Sequence, residues 1–255
     1  MKSSRRRIRQ SVCAWCHKNI SLDVLARRAK ALGLVGIDLV EPGQWNILKK
    51  DGLICTMTPS HPIETGLNDP ANHAQCVESV RQAIELTFDA GFPNVICFSG
   101  NRRPKISDER GLRSCAVAVK KVIGLAERRN VTLCMELLNS KVDHPSYICD
   151  RTEWGADLVR RVGSERFKLL YDIYHMQIQE GDVISTIKKH ASAIGHYHTA
   201  GVPGRHEIDA TQELHYPAIM SAIASTGFTG YVAHEFIPTR DPFAALREAI
   251  SVCNV

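Results

Sequence analysis

Four side chains of this 255-residue chain have the types and spacing to hold one divalent cation. Glu136, Asp172, His198 and Glu235 stand 36, 26 and 37 residues apart, each within a short apolar run: "VTLCMELLN", "FKLLYDIYH", "IGHYHTA" and "GYVAHEFIP". Three carboxylates and one imidazole make a hard, oxygen-rich donor set. It suits Mn2+, Mg2+ or Co2+ in octahedral geometry, with positions left open for substrate or water. Zinc fits less well, because its sites usually take more nitrogen or sulfur. Polar residues scattered on loops would need no cation. Four in register at the ends of apolar strands would bury charge at several kcal/mol each without one.

Other residues reach the same level of the chain. Glu41 follows the second apolar run, and Asn101 and Arg102 in "SGNRR" follow the fourth; Glu41 and Asn101 are candidate substrate contacts. His175, three residues after Asp172, is placed to touch substrate or support the ligands. His196 shares a strand face with His198 and lies deeper, where it could support the metal shell. Arg205 sits in "GVPGRHE", a loop shaped by glycine and proline, and its guanidinium could fork onto a carboxylate or phosphate.

Positioning these residues requires a repeated element. Eight β-rich runs alternate with helical patterns, beginning with "IRQSVCAWC" and "SLDVLARRAKALG" and ending with "GYVAHEFIP" and "DPFAALREAISVC". Ser21 offers an N-cap to the first helix and Gly33 a stop. Leu112, Ala116, Val119, Ile123 and Ala126 form the apolar stripe of the fourth, while Asp150 and Glu153 have capping-box spacing. Asp241 and Pro242 open the last helix. Strands apolar on both faces are buried parallel strands. The expectation is an α/β chain: a single-domain (β/α)8 TIM barrel over residues 10–255, preceded by a basic arm at 1–9, with its site at the C-terminal strand ends. An open doubly wound sheet would show a glycine-rich phosphate loop after the first strand, and none is there.

Apolar residues at 44% and charged residues at 23% suit a globular core. The net charge of +5 is modest and concentrated in "MKSSRRRIRQ", which reads as a solvated tail rather than a nucleic-acid or lipid arm. No apolar run approaches the roughly 18 residues of a membrane span, so the chain as given is expected to be cytoplasmic. Nine scattered cysteines suit reduced, buried thiols. "CAWCH" has the spacing of a c-type haem attachment, but its two cysteines are expected on opposite faces of the first strand, and nothing completes a haem or zinc site. The motif reads as a coincidence of spacing.

The runs "LCMELLN", "LLYDIYHMQ", "IGHYHTAGVPGRHEID" and "YVAHEFIP" resemble the xylose isomerase-like TIM barrels, and within them the hydroxypyruvate isomerase branch. The resemblance covers about residues 10 to 253. It implies metal ligation by Glu136, Asp172, His198 and Glu235, proton transfer by the two glutamates, and substrate contacts at His175 and Arg205. It implies isomerisation of a small sugar or hydroxy-keto acid through a cis-enediolate, with hydroxypyruvate the leading substrate. A dimer or tetramer is compatible with it, and so is a trimmed twin-arginine export leader. Histidine at 198, where hydroxypyruvate isomerases often carry glutamine, points toward the ketose 3-epimerases, and a lyase on the same enediolate is a further alternative. Abasic-site endonucleases share the barrel but need a three-metal cluster with more histidines, toward which only His61 and the basic arm point. A non-catalytic metal-binding barrel would leave both glutamates without a task.

Overall fold

A computed structural model describes residues 8–104 and 106–255. Seven strands form one parallel sheet: β1 (Arg9–Cys13), β2 (Gly36–Asp38), β3 (Asn94–Cys97), β4 (Thr132–Leu137), β5 (Phe167–Asp172), β6 (Ile194–Thr199) and β7 (Tyr231–His234). Their order is β2-β1-β7-β6-β5-β4-β3. Helices return the chain between parallel neighbours. Strands β3 and β7 are buried along their whole length, as continuous apolar runs require.

The expectation of eight strands is corrected to seven among the described residues. The remaining run, at 53–58, makes only isolated parallel bridges, Ile54 to Gly36 and Thr58 to Val95, and so links the two edge strands β2 and β3. Leu39 adopts φ +60 and ends β2 one residue after Asp38. Its N–H then donates to Met57 O at 2.8 Å, outside any ladder. At Gly36 a Cβ would lie 2.4 Å from Ile54 O, so only glycine permits this approach.

The helical stripe forms as expected, with Leu112, Ala116, Val119, Ile123 and Ala126 all buried. Two helices, Asp108–Lys120 and Ile123–Arg129, carry it instead of one. Gly33 follows the first helix at φ +87, and Asp241 caps the last, accepting from Ala244 N–H at 2.7 Å. Ser21 occupies its N-cap position without a side-chain bond. The capping box expected at Asp150 does not form. Glu180 instead accepts from Thr152 N–H at 2.9 Å, and Asp150 receives both terminal nitrogens of Arg102 at 3.0 Å.

All nine cysteines are free and buried. Of the basic arm, residues 1–7 lie outside the described residues, while Arg9 opens β1 with its guanidinium 4.0 Å over the Tyr231 ring. No helix among the described residues is long and apolar enough to cross a membrane.

Candidate metal centre

Register brings the four expected ligands together. Asp172 and His198 are directly paired across β5 and β6, and His198 pairs with Ala233 of β7, two residues before Glu235. Glu136 pairs with Leu170, two residues before Asp172. Each strand thus ends its apolar run at the same height. One ligand atom from each of the four lies within 4.8 Å of the others, and all four residues are buried. Asp172 also accepts from His175 N–H at 3.1 Å, capping the helix Ile173–Gln179.

Charge is unevenly compensated here. Burial pushes Asp172 up to about 7 and raises Glu136, with the charge of Glu235 adding to both. Burial also acts on Glu235, but His198 and Arg205, with a hydrogen bond from Trp15, hold it well below the usual carboxylate range. Burial disfavours an imidazolium at His198, yet Cys13, Glu235 and Asp38 outweigh it and raise its pKa well above the ordinary value. His198 Nδ1 lies 2.9 Å from Glu235 Oε2 and 3.5 Å from Glu136 Oε1. Three buried carboxylates therefore face one guanidinium and one imidazole that itself binds its proton more tightly than usual. Two of the carboxylates hold protons more tightly than usual. That donor set fits a divalent cation.

Arg205 closes the cluster. It is left-handed at φ +59, behind Gly204 at φ +92, and this turns its side chain back over the strand ends. Its Nη2 donates to Asp172 Oδ2 at 3.2 Å and to Glu235, and its Nη1 donates to His175 Nε2 at 2.8 Å. The guanidinium lies 5.2 Å from the Trp15 ring and 4.9 Å from that of Tyr174. Burial, and then Arg205, hold the His175 pKa well below its ordinary value, so this ring is neutral.

Glu136, Asp172, His175, His198, Arg205 and Glu235 are thus brought together. Glu41 is exposed at the start of the turn Pro42–Gln44, and β2 sends Asp38 inward instead. Asn101 is held through its backbone, bridged to Tyr147 and accepting from Asn68 Nδ2 at 2.6 Å. Arg102 is spent on Asp150 and Asp108. Both nitrogens of His61 face backbone groups, Thr65 O at 2.9 Å and Phe98 N–H at 3.3 Å, which makes it structural.

Sequence reasoning missed Trp15 and Asp38. Trp15 Nε1 donates to Glu235 Oε1 at 2.6 Å. Trp15, inside "CAWCH", thus reaches the cluster. Residues Ala14–His17 form a 3-10 turn, so Cys13 and Cys16 pack in one cluster with Ala233 and Trp15, not on opposite faces. The available signal was position: Trp15 follows the end of β1, and Asp38 ends β2.

The model of a family described as xylose isomerase-like TIM barrel matches residues 44–254. A 2-oxo-tetronate isomerase of Cupriavidus necator is 36% identical over 121 residues, 48% of this chain and 46% of that protein. The hydroxypyruvate isomerase of Escherichia coli is 26% identical over 239 residues, 88% of this chain and 92% of that one. The chain thus spans under half of the first relative's length and nearly all of the second's. A crystal structure titled AP endonuclease, family 2, from Brucella melitensis superposes with a TM-score of 0.85 at 20% identity, covering 94% of this chain and 97% of that one. At that identity the likeness shows the fold.

Proposed function

The chain belongs to the xylose isomerase-like TIM barrels, and on that premise we propose that it is a divalent-cation-dependent isomerase of a small α-hydroxycarbonyl compound, hydroxypyruvate first. The observation that carries this reading is the convergence of Glu136, Asp172, His198 and Glu235 on one buried point. Isomerases among the relatives support it.

These four residues would hold Mn2+, Mg2+ or Co2+. A cation bound there supplies Lewis acidity to a substrate carbonyl and its neighbouring hydroxyl, acidifying the C–H between them. One of Glu136 and Glu235 takes the proton from C3 of hydroxypyruvate, giving a cis-enediolate. A proton returned to C2, with another moved between the two oxygens, yields tartronate semialdehyde. His175, neutral and accepting from Arg205 Nη1, holds that guanidinium in place above the cluster. Arg205 presents a guanidinium to the substrate carboxylate. Trp15 and Tyr174 flank Arg205 and would limit the access of water on that side of the enediolate.

The test uses chelator-treated protein reloaded with each of the three cations in D2O, with hydroxypyruvate and a panel of ketoses followed by proton NMR. Cation-dependent deuterium uptake with formation of tartronate semialdehyde supports the proposal. Glu136→Gln and Glu235→Gln should each abolish turnover while the fold is kept, and a near-normal rate in either removes its proton-transfer role. A second reading, ketose 3-epimerisation, is favoured by histidine at 198. Conversion of longer sugars with none of hydroxypyruvate would establish it.

A further inference from the structure

His198 has a second side. Its Nδ1 faces Glu235 and Glu136, while its Nε2 lies 3.3 Å from Asp38 Oδ2. Strands β2 and β6 are separated by β1 and β7 in the sheet, so this contact crosses the interior. Asp38 is fully buried, and two hydroxyls and two imidazole nitrogens surround its carboxylate. Oδ1 accepts from Ser11 Oγ at 3.0 Å and from Thr56 Oγ1, and Oδ2 faces His196 Nε2 at 2.7 Å as well as His198. Each carboxylate oxygen has acceptor lone pairs directed at two of these four neighbours.

We propose that Asp38 is a positioning residue of the cation site. It holds the proton of His198 on Nε2, fixes the ring plane, and presents the Nδ1 lone pair to the point shared by Glu136, Asp172 and Glu235. A ring free to choose its tautomer would place a proton at Nδ1 part of the time and turn out of line with the three carboxylates. Carboxylate partners of ligating histidines raise the basicity and order of the ligand, and losing one typically costs about 10–100-fold in metal affinity. His196 contributes by sharing Oδ2 and holding the carboxylate in place. The inference rests on the four-residue cluster being a cation site.

The experiment compares Mn2+ binding to wild-type protein and to Asp38→Asn, which keeps the shape and removes the charge. The expected result is an Mn2+ dissociation constant about 10–100-fold higher in the variant, with kcat largely restored at saturating Mn2+. Excess cation would not restore a merely structural defect. Nitrogen-15 NMR of the Mg2+-loaded wild type should show His198 protonated on Nε2 and ligating through Nδ1, and this needs no variant if Asp38→Asn fails to fold. Ligation through Nε2, or unchanged Mn2+ affinity in a folded Asp38→Asn, overturns the role of Asp38 and leaves the cation site standing. Failure of the wild type to bind Mn2+, Mg2+ or Co2+ overturns both.

Discussion

Trp15→Phe isolates one hydrogen bond. The indole N–H reaches Glu235 Oε1 at 2.6 Å, while Arg205 and His198 address Oε2. Phenylalanine keeps a ring beneath the Arg205 guanidinium, 5.2 Å away in the wild type, and removes only the donor. Glu235 is 3% exposed, so no water replaces the lost partner directly. A hydrogen bond to a charged group is worth about 1.5–3 kcal/mol. At about 1.36 kcal/mol per decade, that is a fall of about 10- to 150-fold in kcat/KM. The direction with pH follows from the same contact. The N–H stabilises the carboxylate, so its loss makes Glu235 easier to protonate, and the acidic limb of the kcat/KM profile should move to higher pH. The assay is hydroxypyruvate conversion by the cation-loaded enzyme, followed by proton NMR across pH. Unchanged kcat/KM with an unmoved acidic limb would show that Glu235 does not depend on Trp15.

Cation uptake should release protons and tighten as pH rises, because Asp172, pushed up to about 7, and His198, raised well above its ordinary value, must both lose one. Calorimetry in buffers of different ionisation enthalpy measures the release, and affinity independent of pH through 7 would refute the assigned ligands. In the cation-free protein the folded state binds the Asp172 proton more tightly than the unfolded chain does. Its contribution to stability is therefore full below the ordinary value of 3.8 and lost as pH rises through about 7. Arg102→Ala removes the paired contact to Asp150, which is itself 5% exposed, and should cost about 1–3 kcal/mol by urea unfolding, discounted for the arginine's partial exposure. A loss under about 0.5 kcal/mol, the range of an ordinary surface change, would mean that Ser140 Oγ, 2.6 Å from Asp150 Oδ2, and Gln179 Nε2, 3.4 Å from it, already satisfy that carboxylate.

The four clustered side chains were legible because each stands out against an apolar strand, and parallel register carries sequence spacing directly into height above the sheet. Arg205 was legible through its glycine-bounded loop. Asp38 was not, since Glu41 three residues later looks equally acidic. Only the left-handed turn at Leu39, which no residue type announces, ends β2 so that Asp38 faces inward and Glu41 outward. Trp15 was hidden by the cysteines around it, whose spacing invites a covalent reading. The third run failed as a strand for a related reason. Its residues have strand character, but its backbone partners are taken up at isolated points by β2 and β3. Local preference cannot report which neighbours a backbone will meet.

The nine thiols have a further consequence for the life of the molecule. While the barrel is intact, burial raises their pKa values, as at Cys97, Cys115, Cys134 and Cys253, so thiolate, the species that oxidants and disulfides attack, is scarce. Unfolding exposes all nine at once, with no native disulfide to guide their pairing. A chain held open in air by heat cross-links at scrambled pairs, and its durability under such heating is then set by the rate of opening rather than by the folding equilibrium. With a reductant present, the same heating should become reversible.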